Sequence, residues 1–427
     1  MKALIITYYW PPSGGSGVQR WLKFVKYLQD YNIEPIVYTV DNPSYAIVDS
    51  SLEEEVPKNI TILKKSIKEP NTIFSFFKSN KAKTSAGFLD SKPTFFVKML
   101  QYIRANYFIP DARKFWIKPS IKYLKEYLTE NKVDIIITTG PPHSLHLIGL
   151  QIKKDLGVKW ISDFRDPWTE IDYFHQLPLT EKSKKKHISL EKEVIKNSDA
   201  VLVVGKTMKE NFSSLSNNIH VVTNGFDAEI GDEKVKVSLG KRFTITHVGL
   251  MNADRNPFLL WKVLQDICLE NKGFQTDLEI KLIGKIANEV KDAIAVFEDN
   301  NVNVIDYVSH DEVKKHQQSS QVLLLAINKV PSAKGIITGK IFEYLQAKRP
   351  ILAIGPTDGD AAEIINSTNT GITVGYEDKE VLKETILKFY NDYKNNKLLI
   401  VESDINKFHR KELTKKLANI IVETVKG

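Results

Sequence analysis

Residues 2–28 read "KALIITYYWPPSGGSGVQRWLKFVKYL": a short apolar run, a loop with two prolines and three glycines, then an amphipathic helical pattern. A plain strand-to-helix connection needs only a few turn residues. In a doubly wound sheet, ligands bind beyond the carboxyl ends of the strands. A glycine-rich turn there lets backbone N–H groups approach an anion, and the following helix adds its positive end. The "GGSG" spacing at 14–17 matches neither G-x-G-x-x-G nor the Walker loop, so both of those nucleotide signatures are excluded. A loop shaped around a substrate and a loop that merely permits tight packing both stay open.

Outward from this stretch the same unit recurs. Strand candidates fall at 2–7, 35–40, 134–138, 158–162 and 200–204, each an apolar, β-branched run followed by a polar or glycine loop and a helical pattern. The series restarts at 243–248 and continues at 278–283, 302–305, 322–327 and 350–354. Continuous apolar strands alternating with helices imply parallel sheets covered on both faces. Two such series predict an α/β chain of two Rossmann-like, doubly wound domains. The polar break lies near 225–242, and a last helical stretch covers roughly 405–425. Residues 68–125 are the least strand-like and mix aromatics with lysine and arginine. Such an insertion suits either an amphipathic surface on anionic lipid or a helical excursion packed on its own domain.

The composition, 427 residues with 26% charged and 42% hydrophobic, is that of a globular chain of about two domains. No run is long enough to span a bilayer, and the first apolar run meets Pro11-Pro12 too early for a signal peptide. Cys268 is the one cysteine, which excludes an intrachain disulfide and a cysteine-based metal cluster. A cytoplasmic protein is expected, at the inner face of the membrane if the insertion touches lipid. The net charge of +8 calls for an anionic partner without naming it. No basic strand with interleaved aromatics and no recognition-helix pattern points to nucleic acid, and "KSKKKH" at 182–187 reads as a solvated helix face.

Four further loops sit where sites are built. "PPHSLHLIG" follows the strand at 134–138 and puts His143 and His146 three apart. "SDFRDPWTE" gathers Asp163, Arg165 and Asp166. Arg165 can pair with either aspartate, or the three can form a polar wall for sugar hydroxyls or supply a catalytic carboxylate. "HVGLMNADRNP" places Gly249 and Arg255 between a strand and a helix, and a guanidinium fork matches phosphate oxygens. "KVPSAKGIITGKIFEYLQAKRPILAIG" opens a helix carrying Lys340 and Glu343, whose carboxylate can accept from two adjacent hydroxyls. "PTDGDAAEI" holds the formal D-x-D of Asp358 and Asp360, the latter equally suited to cap a helix.

Taken together, "PPSGGSGVQR", "SDAVLVV" with "VVTNGFD", "HVGLMNADRNP" and above all "GKIFEYLQAKRPILAIG" resemble the retaining GT-B glycosyltransferases of family 4 over nearly the whole chain. "SDFRDPWTE" is similar to a subgroup making bacterial surface polysaccharides. The resemblance implies two Rossmann-like domains facing a central cleft: an acceptor domain at 1–228 carrying the 68–125 insertion, a nucleotide-sugar domain at 240–404, and a helix at 405–427 returning to the first domain. It implies transfer from a nucleotide-sugar to a glycan or lipid-linked acceptor, with retention, in cell-surface polysaccharide synthesis. Glu343 matches the second glutamate of the family's E-x7-E, the ribose ligand. Gly15 and Gly17 match the loop lining the phosphate, with Ser16, Asp163 and Arg165 on the acceptor side.

Two departures stand out. The first glutamate of E-x7-E is replaced by Gly335, beside Lys334, and the phosphate-binding arginine after Gly249 is replaced by Leu250. Arg255, then Lys340, are the candidates for the diphosphate charge, with His143 and Asp166 as further catalytic candidates. The expected donor set is thus Gly15, Gly17, Gly249, Arg255, Lys334, Gly335, Lys340 and Glu343. No cofactor and no metal is expected. An epimerase of the same architecture and a non-catalytic sugar-nucleotide binder are the alternatives.

Overall fold

The computed structural model describes residues 1–68, 95–227, 238–306, 308–398 and 404–427. The chain forms two units. One contains residues up to 225 together with Arg410–Gly427, and the other contains Phe226–His409. The core of the expected insertion (69–94) and the centre of the expected linker (228–237) lie outside the described residues.

The first unit holds β1 (Lys2–Ile6), β2 (Glu34–Val40), β3 (Thr61–Lys65), β4 (Ile135–Gly140), β5 (Lys159–Phe164), β6 (Ala200–Val203) and β7 (Ile219–Val221). Among the described residues they form one parallel sheet in the order β3-β2-β1-β4-β5-β6-β7. The second unit holds β8 (Phe243–Val248), β9 (Leu278–Ile283), β10 (Val302–Ile305), β11 (Val322–Ala326), β12 (Ile351–Ile354) and β13 (Gly371–Val374). Their parallel order is β10-β9-β8-β11-β12-β13. Each sheet reverses its winding once, between β1 and β4 and between β8 and β11. Those reversals leave a crevice at the carboxyl ends of the strands, where open α/β sheets take ligands.

The alternation of side chains explains why both faces are apolar. In β1, Leu4 and Ile6 pack with Ile136, Ile148 and Trp160, whereas Ala3 and Ile5 pack on the other face with Trp21, Leu22 and Val25. A buried side chain of this size contributes roughly 1.5–3 kcal/mol, so these central strands carry the fold. The helix Ser16–Leu28 presents Val18, Trp21, Leu22, Val25 and Leu28 to the sheet at helical spacing. The last helix, Arg410–Lys426, covers the same face through Leu413, Leu417 and Ile421. In the second unit Phe243 and Ile245 pack on one face with Val322 and Leu324, and Leu323 and Leu325 pack on the other.

Of the insertion, Lys114–Glu130 is a packed helix: Trp116 stacks on Tyr38 at 5.1 Å, and Ser120 accepts from the Tyr38 hydroxyl at 2.8 Å. Phe95–Tyr107 is a helix with no buried residue. No helix among the described residues is long and apolar enough to cross a membrane.

Candidate functional site

In the second unit the β8/β11 reversal gathers cations. Gly249, the first residue after β8, has φ +98°, a backbone that side chains adopt only under strain. A Cβ there would also lie 2.8 Å from Lys340 Cε. The glycine therefore lets the lysine cross the end of the strand. Lys340 stands in the first turn of the helix Gly339–Ala347 and donates to the Leu250 carbonyl at 3.3 Å and to His247 Nε2 at 3.0 Å. His247 Nδ1 lies 3.1 Å from the Leu324 carbonyl. A carbonyl only accepts, so Nδ1 carries the proton and Nε2 is left to accept from the lysine. His247 is fully buried and held neutral, well below the usual histidine range, by burial and then by Lys340.

Arg255 donates from Nε to Asn328 Oδ1 at 2.8 Å and from Nη1 to the same Leu250 carbonyl at 3.0 Å. Two cations thus converge on one oxygen. Burial, with Arg255 adding to it, brings Lys340 down to about 7, while Glu343 pulls the other way. Glu343 lies on the same helix and accepts from Gln317 Nε2 at 3.2 Å. Thr338, the residue before the helix, makes no side-chain cap. Its hydroxyl and Asn252 Oδ1 are buried and find no partner among the described residues. Tyr344 joins the parts: its hydroxyl accepts from Val248 N–H at 3.2 Å and donates to Leu324 O at 3.3 Å. A helix N-terminus beside two cations and the unpaired Thr338 hydroxyl has the chemistry that favours an anion.

Lys334 and Gly335 occupy the short turn Ala333–Gly335, and Lys334 pairs with Asp358 at 2.8 Å on the surface. Asp358 is therefore engaged by a cation. Asp360 corrects a reading: it is the first residue inside the helix Asp360–Ser367, and Gly359 occupies the cap position.

In the first unit the β1/β4 reversal is built differently. Gly15 has φ +96°, and a Cβ on Gly17 would overlap the Arg165 guanidinium. The glycine loop therefore makes room for Arg165, whose guanidinium also lies 5.8 Å over the Tyr9 ring and 3.6 Å from Asp166. Its backbone N–H donates to Gly140 O at 3.1 Å. The Ser16 side chain lies outside the description.

Asp163 is a correction. It has no exposed surface and faces no acceptor. It receives Arg20 Nη2 at 2.8 Å and Nε at 3.3 Å, Trp21 Nε1 at 2.7 Å and the Thr139 hydroxyl at 2.9 Å. Burial opposes its charge, yet Arg20 and these hydrogen bonds hold its carboxyl below the usual range. Its partner is Arg20, not Arg165. Arg20 further donates to the carbonyls of Val222 and Thr223 at 2.9 and 2.8 Å, fixing the strand-to-loop exit.

His143 sits just before the helix Ser144–Leu156, stacked on Trp168 at 4.9 Å and 5°. Burial drives both His143 and His146 well below the normal histidine pKa, His146 to about 3. Both rings are therefore neutral. Arg165, Gly17, Gly140 and His143 come together at one strand end, whereas Asp163 faces away into the core.

Arg20, His247, Asn328 and Thr338 carry these sites and escape a reading of the sequence. A cation beside Trp21 in a buried helix face, and a histidine in the apolar run at 243–248, were the available signals.

Residues 86–230 match the sequence model of Glycosyltransferase Family 4, and residues 242–392 match that of Glycosyl transferases group 1. No curated protein sequence matches the chain. Among solved structures, Anabaena HepE in complex with UDP-glucose is similar at 12% identity and TM-score 0.59, over 99% of this chain and 100% of that one. TarM of S. aureus, in complex with Fondaparinux, alpha-GlcNAc-glycerol and UDP, gives 13% and 0.59, over 98% and 99%. A putative UDP-N-acetylglucosamine 2-epimerase from Listeria monocytogenes gives 11% and 0.52, over 97% and 94%. These likenesses show the fold. The two sequence models show what kind of protein carries it.

Proposed function

Because the chain belongs to the family 4-like GT-B glycosyltransferases, we propose that it moves a sugar from a nucleotide-sugar to a glycan or lipid-linked acceptor with retention, in cell-surface polysaccharide synthesis. The observation that carries the donor half of this reading is the convergence of Arg255 and Lys340 on the Leu250 carbonyl at the start of the helix Gly339–Ala347. Both cations reach the position where a diphosphate would lie against the helix end. They would stabilise the charge that develops on the departing nucleoside diphosphate, and fixed charges cost no reorganisation at that moment. Glu343 is assigned to the ribose hydroxyls, and Gly249 to the close approach of the phosphates. Lys334 and Gly335 would border the donor sugar, where the missing glutamate leaves a different recognition chemistry.

In the first unit, Gly15, Gly17, Ser16 and Arg165 are assigned to the acceptor and phosphate side, with His143 as the ring that contacts the transferring sugar and Asp166 as a catalytic carboxylate. Two fixed cations already supply the charge that a divalent metal would supply, so turnover is expected without added metal. The exposed apolar residues of Phe95–Tyr107, among them Phe95, Phe96 and Tyr102 beside Lys98 and Arg104, suit peripheral contact with a lipid-linked acceptor's membrane.

The test is thermal stabilisation by UDP-, GDP-, ADP-, dTDP- and CMP-sugars with and without a chelator, followed by NMR of the anomeric configuration of the product. A ligand that binds only the folded state raises the melting temperature. Stabilisation by one base series, lost in Lys340→Met, supports the donor site. Release of an epimerised donor without an acceptor would favour the epimerase, and binding with no turnover the non-catalytic binder.

A further inference from the structure

Two buried ring nitrogens in the first unit point at one place and have no partner among the described residues: His143 Nδ1 and His146 Nε2. An ideal Cβ on Gly140 would lie 2.8 Å from the first and 2.6 Å from the second. Both nitrogens therefore face the bare α-carbon of Gly140 and lie at most about 5.4 Å apart, the sum of those two distances, a separation that a single water beside the glycine can bridge. The rings themselves are held. His143 is stacked on Trp168, whose Nε1–H donates to His187 Nδ1 at 3.0 Å, and His146 is stacked on Phe164 at 4.6 Å.

The direction of hydrogen bonding behind this pair is fixed by a group that can only donate. Trp160 Nε1–H donates to the Thr138 hydroxyl oxygen at 2.9 Å. The single proton of that hydroxyl is then free to point at His146 Nδ1, 2.8 Å away. In that arrangement Trp160 Nε1–H, the Thr138 hydroxyl and His146 Nδ1 are all satisfied. A neutral His146 that accepts at Nδ1 carries its proton on Nε2, the nitrogen aimed at Gly140.

We propose that His146 is a positioning residue that, at the end of the relay Trp160–Thr138–His146, donates through one buried water to His143 Nδ1 and so fixes the proton of His143 on Nε2. The water accepts from His146 Nε2–H and donates to His143 Nδ1, so His143 acts as a hydrogen-bond donor on its other edge. His143 keeps 7% of its surface exposed while its Nδ1 is enclosed, so that other edge is the one that meets a ligand. Gly140 is part of the device, because any side chain there fills the space between the two nitrogens. Neutrality of both rings, enforced by burial, keeps the relay in one protonation state.

The assignment of His143 to the transferring sugar rests on the proposed transferase function, but the tautomer does not. The first experiment is therefore ¹⁵N NMR of the ring nitrogens in the full-length protein labelled at histidine, without substrate. The expected spectrum has Nδ1 unprotonated and Nε2 protonated in both His143 and His146, assigned with His143→Gln and His146→Gln. Thr138→Val keeps the shape and removes the hydroxyl. It should change the protonation pattern of both rings and lower the rate of nucleotide release from the stabilising nucleotide-sugar about tenfold, the size of one lost hydrogen bond, at unchanged KM. Thr138→Ser should restore both. Gly140→Ala, whose Cβ would lie 2.6 Å from His146 Nε2 and 2.8 Å from His143 Nδ1, occupies the bridge and should change both rings while leaving the Trp160–Thr138 hydrogen bond in place. A proton on His143 Nδ1 in the unmodified protein would overturn the proposal. So would a Thr138→Val protein with an unaltered His143 ring or an unaltered turnover. The stated tautomers in a protein that turns over no nucleotide-sugar would leave the relay standing and sink the transferase reading instead.

Discussion

The two strand-end crevices follow the same topological rule and differ in how their charges are satisfied. Beside β1/β4 the buried charges are a pair turned into the core: Asp163 on β5, closed by the Arg20 fork, Trp21 and Thr139. At β8/β11 the half-buried charges are cations, Arg255 and Lys340, held on a carbonyl, which orients a cation without neutralising it. The first arrangement is complete within the chain. The second would be completed by the diphosphate of the proposed donor, and burial together with Arg255 lowers the pKa of Lys340 to about 7.

That contrast breaks most visibly at Arg20. Arg20→Met leaves Asp163 buried without its cation, and breaking a buried pair in this way costs about 3–5 kcal/mol. Guanidinium unfolding followed by tryptophan fluorescence should show that loss, and Arg20→Lys should not restore it, because an ammonium lacks the fork. A nearly native Arg20→Met protein would mean that Asp163 is not held by this pair. Lys340→Met is the opposite case. It removes a half-buried charge, so the fold should be no weaker, whereas turnover should fall about 10²–10³-fold, as for other lost donors to a developing oxyanion. Equal damage to folding would place Lys340 with Arg20 as a structural group.

The sequence shows the frame of this comparison better than its contents. The central strands are legible because they are buried on both faces and hence uniformly apolar. The strands absent from the sequence reading are β3, β7 and β13, whose TILKK, IHV and GITV are short and only partly covered at the edges of the sheets. Arg255 and Lys340 are legible as loop and helix-end cations, although nothing in the sequence says that Leu250 would hold both. Asp163 misleads because a carboxylate at a strand end looks the same whether it faces a ligand or a buried arginine 143 residues away in the chain. Only the partner decides. Gly17 is a similar case: its glycine reads as backbone room for phosphate, and the structure spends that room on the Arg165 side chain.

A smaller effect separates Glu343 from the cations. Its assigned partners are hydroxyls, so Glu343→Ala should weaken binding of a nucleotide-sugar by about 1.5–3 kcal/mol, the range for hydrogen bonds to a charged group. Binding of the corresponding sugar with deoxyribose in its nucleotide should be weakened less by the same substitution. Isothermal titration of the two ligands against both proteins measures the difference, and an equal loss for both would move Glu343 away from the ribose.

The smallest effect is the most diagnostic, because one proton links folding to binding in the second unit and not in the first. Lys340 titrates near 7 in the folded protein against 10.5 for an ordinary lysine, through burial and then Arg255. A bound diphosphate favours the charged form, so the complex holds one more proton than the free protein from pH 7 up to the raised pKa of the complex. Nucleotide-sugar affinity should therefore be flat below pH 7 and fall above it by at most about tenfold per unit. Folding has the opposite sign. Between 7 and 10.5 the unfolded chain holds the proton that the folded one has lost, so stability rises with pH over that window. Lys340→Met should flatten both profiles. Asp163, whose folded pKa is depressed, contributes stability that is fully present above the ordinary carboxylate pKa and lost only as pH falls through its folded value, so it leaves no mark on this alkaline range. Identical pH profiles for the unmodified protein and Lys340→Met would show that Lys340 keeps its charge without an anion, and the distinction between a closed crevice and one poised for an anion would go with it.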